Sequence, residues 1–187
     1  MRTKFLFLNV IMMAMMAAVC MTFAACGGDS DDDIPGGGNA QIGVHRVDLH
    51  FDGTLPSWHS TVGFHGIKPD GGFSRLYENG NELPLYEISG QGTGYISEEI
   101  RDYSICTDNN CGAIVAHVML ISFDGKPAPH DVTVTAVGYI NDKRIYTKVF
   151  TLPTGASSMV MAFTTDDGGE SELVIDNEIV ESHSNHD

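Results

Sequence analysis

The histidines are the side chains of this sequence best suited to hold a metal ion or haem. The 187-residue chain contains eight of them, and neutral imidazole is a common ligand of zinc, copper and iron. None follows a dedicated spacing such as His-Glu-x-x-His. His50, His59 and His65 fall in the first two expected strands and would converge if those strands pair, whereas His117 lies in an apolar stretch typical of a satisfied core histidine. We predict no metal site and no cofactor. His50, His59 and His65 are the weak candidate ligands if a metal is bound.

Trp58 is the candidate ligand-binding residue. It is the single tryptophan of the chain and falls in an expected turn between Leu55 and His59. An exposed indole in a loop can stack on a sugar ring. The alternative is that Trp58 fills the core at the end of a strand.

No combination of residues predicts catalysis. The nucleophile motif Gly-x-Ser-x-Gly is absent, and the glycine-rich stretch Gly90–Gly94 is typical of a loop. The acidic run from Asp166 to Glu170 lacks the spaced Asp-x-Asp-x-Asp-Gly pattern of a calcium loop, so a polar turn is expected there. With 25 acidic residues in the chain, neighbouring carboxylates occur by chance. We therefore predict that the protein is not an enzyme.

The amino-terminal residues have the organisation of an export signal. Arg2 and Lys4 precede an uncharged apolar run from Phe5 to Ala25, and small residues stand at its end. The sequence Phe-Ala-Ala-Cys ending at Cys26 resembles the lipobox of exported bacterial lipoproteins, although the family prefers an aliphatic residue at the phenylalanine position. The resemblance implies that residues 1–25 are removed and that Cys26 carries the lipid anchor. An uncleaved membrane anchor, long enough to span a bilayer, and acylation at Cys20 are the alternatives.

Residues 26–41 are expected to form a flexible tether. Glycines and the acids from Asp29 to Asp33 keep such a segment extended and solvated. An acidic run just after the acylated cysteine also resembles the surface-export signal of Bacteroidota-type lipoproteins. That resemblance implies attachment to the outer membrane with exposure at the cell surface, and the periplasmic face is the alternative.

Composition limits the partners of the processed chain. Removal of residues 1–25 leaves 8 cations against 25 acids, a formal charge of −17. Such acidity argues against nucleic acid as a partner and against electrostatic attraction to anionic membranes. Membrane attachment is therefore expected to depend on the lipid anchor. Residues 42–180 have the length of one domain, and residues 181–187 are polar enough for a disordered tail.

Cys106 and Cys111 are expected to form a disulfide. The export signal implies an oxidising compartment, and the two cysteines are separated by only four residues. A redox pair usually has two intervening residues, and no further cysteine remains to complete a thiolate metal site. The bond would close a small loop and contribute roughly 2 kcal/mol.

Period-two alternation predicts an all-β fold. Val44–Asp52 has one apolar and one polar face, while Ala113–Phe123 is apolar on both faces and is expected to be a central strand. Asp131–Ile140 and Arg144–Leu152 form an expected hairpin that is similar to the closing strands of immunoglobulin-like modules. About eight short strands with turn signals between them indicate an antiparallel β-sandwich. A small eight-stranded barrel is the alternative.

Together these features predict a lipid-anchored cell-envelope lipoprotein without enzymatic activity. The first hypothesis is a binding module for a glycan, protein or peptide. The alternatives are a structural or assembly subunit that docks through a sheet edge, and a lipoprotein that captures a metal ion or haem.

Overall fold

The protein is built from antiparallel β-strands. The computed structural model describes residues 41–53, 55, 57–88, 92–166 and 169–183, and these residues contain fourteen strands and no helix. The described part of the chain accordingly has no helix long and apolar enough to cross a membrane. The strands are β1 (His45–Asp52), β2 (His59–Ile67), β3 (Phe73–Ser74), β4 (Leu76–Glu78), β5 (Asn81–Glu82), β6 (Tyr86–Ile88), β7 (Gly92–Ser97), β8 (Tyr103–Thr107), β9 (Ala113–Ile121), β10 (Val132–Ile140), β11 (Lys143–Leu152), β12 (Ser158–Thr164), β13 (Ser171–Ile175) and β14 (Glu178–His183).

The strands form two sheets arranged as a sandwich, which confirms the predicted fold class. The six-stranded sheet has the order β11-β10-β1-β8-β4-β5. The eight-stranded sheet has the order β14-β13-β12-β9-β2-β7-β6, with the short β3 beside β2. Because both sheets of the described chain end in edge strands, the alternative of a closed barrel is not formed.

Period-two alternation creates the core between the sheets. Val47 and Leu49 of β1 are buried, whereas the next residue, His50, lies on the opposite face of the strand and is exposed. The opposite sheet contributes Phe64 and Ile114 to the same apolar cluster. Burial of aliphatic and aromatic side chains stabilises such a domain by roughly 1.5 to 3 kcal/mol for each one fully buried.

β9 is the central strand that its two apolar faces predicted. It pairs with β2 on one side and β12 on the other. Ile114, Ala116 and Val118 face the main core. Met119, on the opposite face, is 1% exposed and belongs to a second apolar cluster with Val160 and Ala162. The outer face of the eight-stranded sheet is therefore also covered around β9.

Hairpin turns form where the residue types favour positive φ. Asn79 and Gly80 have φ of 51° and 78° between β4 and β5, which confirms the Asn-Gly turn expected there. Asn141 and Asp142, with φ of 49° and 63°, connect β10 to β11 in the same way. These turns set the register of the two hairpins.

The first two strands, β1 and β2, are consecutive in the sequence but do not pair with each other. β1 pairs with β10 and β8 in the six-stranded sheet, and β2 pairs with β9 and β7 in the other sheet. The turn after β1 thus carries the chain from one sheet to the other. At its other end the chain forms β14 through His183, within the segment for which a disordered tail was expected.

Candidate functional site

The predicted convergence of three histidines does not occur, because β1 and β2 lie in different sheets. His50 is exposed on the outer face of the six-stranded sheet, where its Nδ1 is 2.9 Å from the Asp102 carboxylate. His59 and His65 both lie on the outer face of β2, but His59 contacts Phe123, with the ring centroids 5.0 Å apart. Among the described residues no group of three or more histidine, cysteine or acidic side chains is arranged to hold a metal ion.

The structure instead brings His65 together with His117. Their ring centroids are 5.1 Å apart with a 35° angle between the ring planes. Both side chains are on the outer face of the eight-stranded sheet and each residue is only 5% exposed. The expectation that His117 is a satisfied core histidine holds for its burial and fails for its hydrogen bonding, because its Nε2 has no partner among the described residues. The ring lies on the opposite face from the core residues Ala116 and Val118.

Glycines of neighbouring strands create the space for these rings. A Cβ atom on Gly63 would lie 2.0 Å from Nε2 of His117, and one on Gly94 would lie 2.6 Å from Nδ1 of His65. A Cβ on Gly92 would likewise lie 1.8 Å from Cζ of Phe73. We call His117, His65 and Phe73 the ring row, since each ring rests on a glycine of the strand beside it.

The ring row explains why the glycine-rich stretch Gly90–Gly94, whose composition is typical of a loop, includes residues of a strand. Gly90–Gly94 was expected to be a loop, but Gly92 and Gly94 belong to β7. Glycine normally weakens a strand interior, unless another group must approach the backbone closely. Here that group is an aromatic ring from the neighbouring strand.

Both imidazoles of the pair are neutral at physiological pH. Burial lowers the pKa of His117 to about 3, with a smaller contribution from the nearby His65. Burial also lowers the pKa of His65, against the opposing effect of its hydrogen bond to Thr93. The cause is desolvation, which disfavours the charged form of a buried base.

The hydrogen bonding of His65 determines which nitrogen carries its proton. Nδ1 of His65 is 3.3 Å from the carbonyl oxygen of Thr93. A carbonyl oxygen only accepts, so Nδ1 must be the protonated donor and Nε2 must carry the lone pair. Nε2 of His65 and Nε2 of His117 are both buried and have no hydrogen-bond partner among the described residues. Buried polar atoms without partners are uncommon and usually mark a functional or strained position.

Trp58 is half-buried and packs against the main core. Its backbone N–H donates to the carbonyl oxygen of Leu55 at 2.9 Å, which closes the turn before β2. Much of the indole thus contributes to the end of the sandwich, as expected for the core alternative.

The disulfide predicted between Cys106 and Cys111 is not formed, and both are free thiols. On β8, Cys106 alternates with the buried Ile105 and Thr107, so its side chain points away from the core. Cys111 is fully buried, and its Sγ lies 3.1 Å from the carbonyl oxygen of Ile67. Proximity in sequence is therefore not enough to form the disulfide. The pleat of β8 and the turn after it direct the two thiols to different surroundings.

Thiol counting tests this arrangement. In the purified protein, unfolded in denaturant without reductant, we expect a thiol reagent to modify both Cys106 and Cys111. In the native protein both should react slowly, and Cys111 the more slowly of the two. Burial raises the pKa of each thiol, which reduces the reactive thiolate. No modification of the unfolded chain, with a mass about 2 Da lower than that of the reduced chain, would instead indicate the disulfide.

The remaining sequence candidates lie partly or wholly outside the described residues. Residues 1–40, including Cys20 and Cys26, are among these. In the acidic run after β12, residues 167 and 168 are not described, and the N–H of Gly169 donates to the carbonyl oxygen of Asp166 at 3.1 Å. That hydrogen bond is consistent with the polar turn expected there.

Comparison with known proteins identifies fold relatives. No family model and no curated protein matches the sequence. A crystal structure of a domain of unknown function, DUF4425, from Bacteroides vulgatus has a TM-score of 0.51 at 21% identity, and the match covers 66% of this chain and 94% of that one. A DUF4425 family protein from Bacteroides ovatus has a TM-score of 0.52 at 19% identity, with 67% and 96% covered.

A third structure, the calcium-bound form of a protein from Parabacteroides distasonis, has a TM-score of 0.47 at 16% identity and covers 68% of this chain and 92% of that one. The two Bacteroides structures show the fold that this chain shares.

Proposed function

We propose that the protein is a lipid-anchored, non-enzymatic binding module of the cell envelope, and that it binds an extended segment of a protein or peptide along β14. The observation that carries this proposal is the exposure of β14, the outermost strand of the eight-stranded sheet. Ile179 is 66% exposed and Val180 is 62% exposed, as adjacent residues of that strand. An exposed edge with apolar side chains is a template for addition of another strand.

The edge of the other sheet has different chemistry. β11 is the ten-residue edge strand of the six-stranded sheet, and it carries the cations Lys143, Arg144 and Lys148. Lysine and arginine on an edge strand oppose the approach of a further strand. Lys148 also forms an ion pair with Glu181 of β14, which joins the two edges at that point. Ile179 and Val180 remain as the apolar, uncharged part of β14.

Charge favours one kind of peptide. The processed chain has a formal charge of −17, and Glu178 is exposed beside Ile179. A partner segment with aliphatic residues flanked by lysine or arginine would match both the apolar side chains and the surrounding acidity.

The anchor defines where such a partner would be met. The Cys26 lipid anchor and the acidic tether that follows it are part of this proposal. With residues 26–41 as tether, the domain would stay close to the outer membrane, so partners displayed at the cell surface or in the periplasm are within its reach. Tethering raises the effective concentration of such a partner and permits weak individual affinity.

Site-specific photo-crosslinking in intact cells tests the binding surface. A photoreactive residue placed at Ile179 should give a discrete adduct, and a basic variant such as Val180→Lys should reduce its yield. The matched control is a photoreactive residue at Val149, which is 53% exposed on the cationic edge strand β11. Adducts of equal yield at both positions, or none at Ile179, would contradict binding along β14.

A further inference from the structure

We propose that the start of β1 is a mechanical clamp, which resists unfolding of the domain when its tether is pulled. This inference rests on the tether of the proposed function and is independent of peptide binding along β14. The described chain begins at Gln41, just before β1 begins at His45. A force on the tether therefore enters the domain through the residues that lead into β1. We call Gly43, Val44 and His45 the tether junction.

The position of β1 suits a pull along the length of the strand. It lies in the interior of the six-stranded sheet, between β10 and β8. Every residue of β1 is paired with β10 in an antiparallel ladder, from His45 with Ile140 to Asp52 with Thr133. The hydrogen bonds of such a ladder are perpendicular to the strands, so a pull along β1 loads them all at once. Several bonds must then break together, whereas a pull across the strands would open them one after another.

Two neighbouring turns bind the backbone of the tether junction. The N–H of Gly43 donates to the carbonyl oxygen of Cys111 at 3.0 Å, and the N–H of Cys111 donates to the carbonyl oxygen of Gly43 at 3.2 Å. The N–H of Val44 donates to Oδ1 of Asn141 at 3.0 Å, and its carbonyl oxygen accepts from the N–H of Asn141 at 2.9 Å. A Cβ atom on Gly43 would lie 2.5 Å from that Oδ1, so glycine permits this close approach. These bonds extend the ladder of β1 toward the tether.

His45 connects the tether junction to both sheets. The residue is fully buried, its backbone N–H donates to Oγ1 of Thr107 on β8 at 3.0 Å, and its Nδ1 is 2.7 Å from Oγ1 of Thr165. The backbone N–H of Thr165 in turn donates to the carbonyl oxygen of Ile114 on β9 at 3.1 Å. Nε2 of His45 is 2.8 Å from the carbonyl oxygen of Gln41. A carbonyl oxygen only accepts, so Nε2 is the donor that holds the chain at Gln41.

The hydrogen bonds begin at the point where the tether ends. The first residues of a domain are commonly frayed unless pairing or docking fixes them. In this protein hydrogen bonds fix Gln41, Gly43 and Val44 before the first strand begins. A protein that is anchored by a lipid and bound to a partner is pulled at two points, so the strand that leads to the anchor is where such bonds oppose unfolding.

Single-molecule pulling in two directions tests the clamp. The full chain, purified in detergent, carries an azide-bearing residue in place of Gly37 as the first handle. The second handle replaces either Lys126, between β9 and β10, or Lys143, the first residue of β11. The handle at Lys126 pulls along the β1–β10 ladder, because β10 begins beside the end of β1, whereas the handle at Lys143 pulls both strands at the same end. At equal force, the chain should stay folded at least about 10-fold longer with the handle at Lys126, a factor that two hydrogen bonds broken together account for.

A substitution in the β10–β11 turn weakens the tether junction and has a matched control. Asn141→Gly preserves the positive φ of 49° but removes the acceptor of the Val44 N–H. With the handle at Lys126, it should shorten the folded lifetime under load by about 5- to 30-fold, as expected for the loss of one or two hydrogen bonds. Asn79→Gly makes the same change in the β4–β5 turn, at a φ of 51°, and should leave that lifetime unchanged.

A second variant and two contrary results complete the test. Thr107→Val removes the acceptor of the His45 N–H and should shorten the lifetime under load in the same way. Equal lifetimes in the two pulling directions, or equal effects of Asn141→Gly and Asn79→Gly, would overturn the proposal. Neither lipid nor peptide takes part in this measurement, so its failure is distinguishable from failure of the proposed function.

Discussion

Replacement of Gly63 by alanine is expected to destabilise the domain by about 1 to 3 kcal/mol, the range typical of overpacking in a tightly filled position. The new Cβ would lie 2.0 Å from Nε2 of His117 and 2.6 Å from its Cδ2. The His117 ring is buried and in contact with His65, so it cannot yield without disturbing the ring row. Chemical denaturation followed by circular dichroism would measure the loss as a lower midpoint.

A double-mutant cycle assigns that loss to the ring. In a His117→Ala background the obstacle is absent, so Gly63→Ala should be nearly neutral, or slightly stabilising because alanine loses less backbone entropy than glycine. Gly112→Ala is the control substitution, since its Cβ would meet no atom closer than 3.6 Å. Equal costs of Gly63→Ala in both backgrounds would mean that His117 does not occupy this space.

Replacement of Cys26 by alanine is expected to abolish the incorporation of fatty acid into the protein and the removal of residues 1–25. The proposed acylation depends on the thiol of Cys26, and alanine has none. The cut before residue 26 follows acylation in the lipoproteins that this sequence resembles, so the variant should keep residues 1–25 and be larger than the processed protein. Electrophoresis of cells labelled with a radioactive fatty acid would measure both effects at once.

The neighbouring cysteine provides the control for that experiment. Cys20→Ala should leave labelling and membrane retention unchanged, because Cys20 would be removed with the signal peptide. Labelling that persists in Cys26→Ala and disappears in Cys20→Ala would move the acylation site to Cys20. Unaltered protein that takes up no label and keeps residues 1–25 would instead support an uncleaved anchor formed by residues 5–25.

Local features of the fold were predictable from the residues alone. The alternation of β1 and the two apolar faces of β9 depend only on the pleat, which places successive side chains on opposite sides. The turn at Asn79 and Gly80 depends on the ability of these residue types to adopt positive φ. Such properties belong to short segments and are visible without knowledge of their neighbours.

The ring row could be recognised only in the tertiary structure. His65 and His117 lie 52 positions apart in the sequence, and they meet because β2 pairs with β9. A glycine that leaves room for a ring looks the same in the sequence as a glycine in a loop, so the sequence predicts a loop at Gly92 and Gly94. One feature of the sequence does point to this site: a histidine, His117, lies within the apolar stretch of β9, where burial of an unpaired polar ring costs free energy.

The sequence by itself therefore determined the all-β class and the central strand, because each depends on residues that are close together in the chain. Lipidation at Cys26 stays a prediction. Tertiary structure decided which histidines meet, which glycines support them and why Cys106 and Cys111 remain apart. Strand pairing brings together residues that are distant in sequence, and the pleat separates residues that are near. For this reason the candidate site was formed by His65 and His117, and not by the three histidines that the sequence order had placed together.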